Sequence, residues 1–148
     1  SSKRLVYHDV KIDNFWIKFE NGEAIEWDAE EGKEVLSNLI KSCKGSNKLG
    51  EVALVEYNSS ISKSGIVFYE TLYDENASCH LALGAAFPEC IKDGTNHTLA
   101  ELEPLGLNDC TNHVDFMIGT KDLSIIGITK EGQEITIFEN GNFSKNFQ

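Results

Sequence analysis

The residues able to do chemistry are few and lie in apolar runs. His113-Val114-Asp115 places an imidazole and a carboxylate two positions apart. On a strand, side chains alternate, so both would point to one face and could grip one metal ion. The neighbours Val114, Phe116, Met117 and Ile118 make that face partly buried, and buried ionisable groups need a partner or a metal to offset their desolvation. A His–Asp hydrogen bond inside a sheet is the plainer alternative. Glu51 opens the apolar run Val52-Ala53-Leu54-Val55, where a carboxylate also fits the wet end of a strand. His80 stands in Ala77-Ser78-Cys79-His80-Leu81-Ala82-Leu83, where a satisfied core histidine is the ordinary reading. Taken together, Glu51, His80, His113 and Asp115 are the hard and borderline donors that suit Zn²⁺, Co²⁺ or Mn²⁺.

The elements that must position them can be read coarsely. Leu5-Val6-Tyr7 is strand-like. Ile12, Phe15, Ile17 and Phe19, the Asn21-Gly22 turn and a return through Ala24 to Trp27 predict a hairpin. Val35, Leu36, Leu39 and Ile40 fall at helical spacing within 30–42, with acids in the first turn. Residues 50–57 read as a buried strand, 58–65 as a Ser-rich loop and 66–71 as a strand. Residues 77–86 read as a helix carrying His80, with Asp74 and Glu75 at its start. Those two acids suit the positive helix end. Alternatively, one of them faces a cleft as general base or as anchor for a substrate α-ammonium. Thr98-Leu99-Ala100-Glu101 matches a capping box, and 113–118, 123–129 and 133–138 are strand-like. Strands outnumber single helices without βαβ alternation. The expected class is α+β, with a twisted, mostly antiparallel or mixed, barrel-like sheet.

Composition narrows the function classes. The 148 residues carry 13 Lys+Arg against 24 Asp+Glu, a formal charge of −11, and the pI is about 4.7. Without a basic cluster the surface does not suit nucleic acid or an anionic membrane, and no apolar run is long enough to span a bilayer. With 41% hydrophobic residues a packed core is expected. Cys43, Cys79, Cys90 and Cys110 form no Cys-x-x-Cys pair, and a chain with core enough to do without bridges points to reduced thiols and a cytosolic protein. The start lacks Met, strand-like sequence begins at once, and no linker divides the chain. Residues 1–148 are therefore expected to be one domain of something longer.

Three segments in order carry a resemblance: Leu49-Gly50-Glu51-Val52-Ala53-Leu54-Val55, then Thr71-Leu72-Tyr73-Asp74-Glu75-Asn76-Ala77-Ser78-Cys79-His80-Leu81-Ala82-Leu83-Gly84, then His113-Val114-Asp115-Phe116-Met117-Ile118-Gly119. The chain resembles the carboxy-terminal part of the metal-dependent aminopeptidases of the aminopeptidase T, aminopeptidase S and PepS group. Asn14-Phe15-Trp16, Asp28-Ala29-Glu30 and Gly127-Ile128-Thr129 agree as well. The resemblance implies broad-specificity removal of amino-terminal residues from peptides with a free amino terminus, by a homodimer with a second, amino-terminal domain, using two divalent ions, Zn²⁺ or Co²⁺. It puts Glu51 on the bridging carboxylate, His80 on a histidine ligand, and His113 and Asp115 on the closing His-x-Asp pair. Glu75 is retained as the candidate general base. Two departures stand out. The family's further Glu ligand belongs upstream of Ser1, so the isolated chain is expected to be inactive. Phe87 occupies the position of a metal-site Tyr; either that hydroxyl is dispensable here, or Tyr73, Tyr69 or a water takes over. The competing class is a non-catalytic scaffold or dimerisation domain.

Overall fold

A computed structural model describes residues 1–147. The first sheet joins β1 (Leu5–Tyr7), β2 (Val10–Glu20) and β3 (Glu23–Glu31), all antiparallel. The β2–β3 turn is Asn21-Gly22, both with positive φ (51° and 81°), as a two-residue turn matched to strand twist requires. Ile12 and Phe15 are both buried although three positions apart, because left-handed Asn14 between them turns the strand. Helix α1 (Lys33–Ile40) follows and buries Leu36, Leu39 and Ile40. These join Leu5, Ile12, Phe15, Leu83, Val114 and Phe116 in one core, with the Phe15 and Phe116 rings edge to face at 5.8 Å.

The second sheet is β4 (Leu49–Ala53), β5 (His80–Gly84) and β6 (His113–Met117), antiparallel with β5 central. The third is β7 (Ile125–Ile128), β8 (Glu134–Glu139) and β9 (Asn142–Phe143). Short helices α2 (Ser60–Ser64), α3 (Thr71–Asp74) and α4 (Leu99–Leu102) fill the connections, α4 with the expected Thr98/Glu101 capping box. Among the described residues, no helix is long and apolar enough to cross a membrane.

The α+β class and the mostly antiparallel pairing hold, but the expected barrel-like sheet does not. The described strands form three separate three-stranded sheets, and every pair is antiparallel. The 77–86 helix is also overturned. After a 3₁₀ turn at Glu75–Ala77 the backbone extends at Ser78, and His80 begins β5. Leu and Ala favour helix, yet β5 bonds to strands on both edges, and that pairing outweighs local propensity. Asp74 and Glu75 consequently cap no His80 helix. The strand expected at 66–71 does not form: Tyr69 is left-handed (φ 59°) and Thr71 opens α3. Strand β4 stops at Ala53, after which Cys79 Sγ bonds the Val55 backbone instead of a ladder partner.

Candidate metal centre

The second sheet has two unlike faces. Leu83, Val114 and Phe116 belong to the core, with Leu81 packed against it. On the other face the register sets Glu51 opposite Ala82 and Ala82 opposite Asp115, with His80 opposite Met117 and His113 opposite Gly84. Cross-strand partners share a face, and so do residues two apart along a strand. Glu51, His80, His113 and Asp115 are thereby collected around the small residue Ala82, itself fully buried.

Glu51 reaches that face through a bulge. Leu49 pairs with core-facing Leu83, and an unbroken strand would send Glu51 to the core as well. The register shifts between Leu49 and Glu51, and the extra residue, Gly50, re-aims the carboxylate. Only glycine fits there. A Cβ at position 50 would lie 2.1 Å from Ala85 O and 2.4 Å from Gly84 O.

The side chains converge closely. Glu51 Oε1 is 3.4 Å from His80 Nε2, and Glu51 Oε2 is 3.3 Å from His113 Nε2. Asp115 Oδ1 lies 3.4 Å from His113 Nε2 and 4.0 Å from His80 Nε2. His80 and Asp115 are buried, while Glu51 and His113 are partly open. One donor atom each from Glu51, His80 and Asp115 falls within a mutual 4.8 Å.

Both imidazoles are oriented from behind by backbone. His80 Nδ1 sits 3.2 Å from Ser78 O, and His113 Nδ1 sits 2.7 Å from Ala85 O. A carbonyl only accepts, so each Nδ1 carries the proton and, in the neutral ring, each Nε2 turns a lone pair towards the carboxylates. Lone pairs and carboxylate oxygens facing one another repel unless a cation or proton lies between them. This donor set fits a divalent cation.

Glu75 joins the cluster from the 3₁₀ turn. Burial pushes its carboxyl above the ordinary carboxylate range, and the charge and hydrogen bond of Asp115 add to this, with Glu51 contributing and His80 opposing. Phe87 also stands at the site, its ring 4.8 Å from that of His113. Neither expected substitute for its missing hydroxyl is drawn inward. Tyr73 packs on Phe68, and Tyr69 is largely exposed. The nearby amides are engaged elsewhere: Asn108 Nδ2 donates to Gly45 O and Gly84 O, and Asn112 Nδ2 donates to Ser42 Oγ. The orienting groups are the Ser78 and Ala85 carbonyls, which side-chain reasoning had no means to find. Ala82 was missed too, although its alternation with Leu81 and Leu83 was available as a signal.

Two imidazoles and two carboxylates on one sheet face form the kind of donor set that metal-dependent hydrolases use. The sequence pattern of the thermophilic metalloprotease (M29) family matches residues 1–143, and the chain belongs to that family. It is 49% identical over 144 residues to aminopeptidase AmpS of Bacillus subtilis and 46% identical over 144 residues to aminopeptidase 2 of Geobacillus stearothermophilus. Each match takes in 97% of this chain and 35% of the relative. Wild-type AmpT from Thermus thermophilus superposes with a TM-score of 0.88 at 35% identity, again over 97% of this chain and 35% of that one. The chain therefore spans about a third of the length of the relatives it matches.

Proposed function

We propose that this chain supplies the metal-binding part of an aminopeptidase. In this reading Glu51, His80, His113 and Asp115 would hold two divalent ions, zinc or cobalt, and the whole protein would remove amino-terminal residues from peptides with broad specificity. The observation that carries it is the convergence of both Nε2 atoms on the carboxylates of Glu51 and Asp115. The named activities of the relatives, aminopeptidases all, give the reaction class.

Divalent ions held there supply the Lewis acidity that polarises a peptide carbonyl and acidifies water. The chain's own residues do the rest. Ser78 O and Ala85 O fix the ring tautomers, Ala82 leaves room on the floor of the site, and Glu51 and Asp115 bring the negative charge that holds cations. Glu75, whose carboxyl is pushed above the ordinary carboxylate range by burial and by the neighbouring Asp115, is the residue proposed to move a proton or to pair with the substrate's α-ammonium. The isolated chain is proposed to be inactive, because the resemblance assigns one more carboxylate ligand to preceding sequence.

The test is hydrolysis of an aminoacyl anilide by the full-length protein with Zn²⁺ or Co²⁺, beside Glu51→Gln, which keeps the shape and removes the charge. Activity in the parent and its loss in the variant are expected. No hydrolysis of any free-amine peptide by metal-loaded parent protein would reject the reading in favour of a non-catalytic scaffold.

A further inference from the structure

Away from the metal centre, four side chains with no part in it form a second reactive cluster. Cys43, just beyond α1, and Cys110, on the loop entering β6, approach to 3.2 Å between sulfurs. All four cysteines are free thiols. Cys43 Sγ is also 2.9 Å from Ser46 Oγ and 3.2 Å from Thr111 Oγ1. These two hydroxyls and the Cys110 thiol hold the Cys43 thiol down to about 6, the Ser46 contact weighing most. A second sulfur, hydroxyl donors and access to solvent define a poised cysteine with a resolving partner. Cys43 lines a cavity of about 620 Å³ together with Lys41, Lys44 and Asn108, which gives a small oxidant its approach. The other thiols lack this setting. Cys79 is buried, bonds the Val55 backbone and is pushed up by burial, and Cys90 is exposed.

We propose that Cys43 and Cys110 are an oxidation site, a dithiol that closes to an intramolecular disulfide under a peroxide, with Cys43 attacking and Cys110 resolving. The Cys43 thiolate attacks one peroxide oxygen, the O–O bond breaks, and hydroxide leaves to take up a proton as water. Cys43 is then a sulfenic acid. Cys110, losing its proton to solvent, attacks that sulfur. The S–O bond breaks, a second hydroxide leaves and is protonated to water, and the S–S bond forms. Two thiols are oxidised by two electrons, one peroxide is reduced to two waters, and a dithiol reductant restores the start. Closure ties the end of α1 to the loop whose Asn108 holds Gly84 O and whose Asn112 O accepts from Ala85 N, directly ahead of His113.

The experiment treats the reduced, EDTA-equilibrated protein with hydrogen peroxide, followed by intact mass and non-reducing peptide mapping. A loss of about 2 Da, one Cys43–Cys110 cross-link and reversal by dithiothreitol are expected. In Cys110→Ser the cross-link disappears and dimedone traps a sulfenic acid on Cys43. In Cys43→Ser thiol oxidation slows by roughly tenfold or more. A thermal unfolding transition in each variant is the check that it folds, and the wild-type map stands without them. Absence of the cross-link, or oxidation of Cys79 or Cys90 as fast as Cys43, would overturn the proposal.

Discussion

Gly50→Ala should damage stability and metal binding through a single added methyl group. Its Cβ would sit 2.1 Å from Ala85 O, 2.4 Å from Gly84 O and 2.5 Å from Ala85 C. All three are backbone atoms, so no side chain can swing aside. Relief requires β4 to move by about 1 Å against β5, at a cost near the top of the overpacking range, about 3 kcal/mol. For a chain of this size that lowers Tm by about 6–12 °C. The same shift disturbs two donors at once. The bulge that aims Glu51 is altered, and Ala85 O, which holds His113 Nδ1 at 2.7 Å, is pushed away. Loss of an orienting partner weakens metal affinity by roughly 10–100-fold. Thermal melts in EDTA and zinc calorimetry, beside Val52→Ala at the 68% exposed position, provide the assay. The control should change stability by no more than about 0.5 kcal/mol. A Gly50→Ala protein indistinguishable from that control in Tm, with wild-type zinc affinity, would refute the reasoning.

Chelation should leave the fold standing, because Ile12, Leu36, Leu39 and Leu83 form the core on the far side of the second sheet from the donors. A thermal transition abolished by EDTA would contradict this. In the full-length protein Phe87→Tyr should raise kcat about 10²-fold, since a hydroxyl beside His113 adds one oriented polar contact in the transition state. An unchanged kcat would show that hydroxyl to be dispensable. Alkylation of Cys43 should rise with pH and level off above its depressed value of about 6, because the thiolate is the nucleophile. A rate still climbing steeply well above that value would contradict the assigned hydrogen bonds.

What was legible in the sequence follows from the range of the forces involved. The Asn21-Gly22 hairpin, α1 and the Thr98–Glu101 box are local signals and all three form, although α1 is shorter than the 30–42 expected because β3 runs on through Glu30 and Glu31 and leaves Glu34 alone as a first-turn acid. The face shared by His113 and Asp115 follows from strand alternation alone. Leu81, Ala82 and Leu83 are good helix formers, and composition alone therefore argues for a helix at His80. Their period of two, which sends leucines to the core and His80 and Ala82 to the site, carried the correct information. Gly50 as a bulge, and the Ser78 and Ala85 carbonyls as histidine partners, depend on tertiary pairing that no single segment encodes. The barrel-like expectation failed for a related reason. Strand count and antiparallel hairpins do not specify which edges meet, and here they close into three separate sheets.

The central claim is that Glu51, His80, His113 and Asp115 bind divalent metal. Its most direct test is isothermal titration of Zn²⁺ into this chain and into His113→Ala, both in a Cys43→Ala, Cys90→Ala, Cys110→Ala background that removes the accessible competing thiols. Weak but measurable binding is predicted for the first, and an affinity lower by roughly tenfold or more for the second, because His113 Nε2 faces both Glu51 and Asp115. Equal affinity in the two proteins would contradict the site.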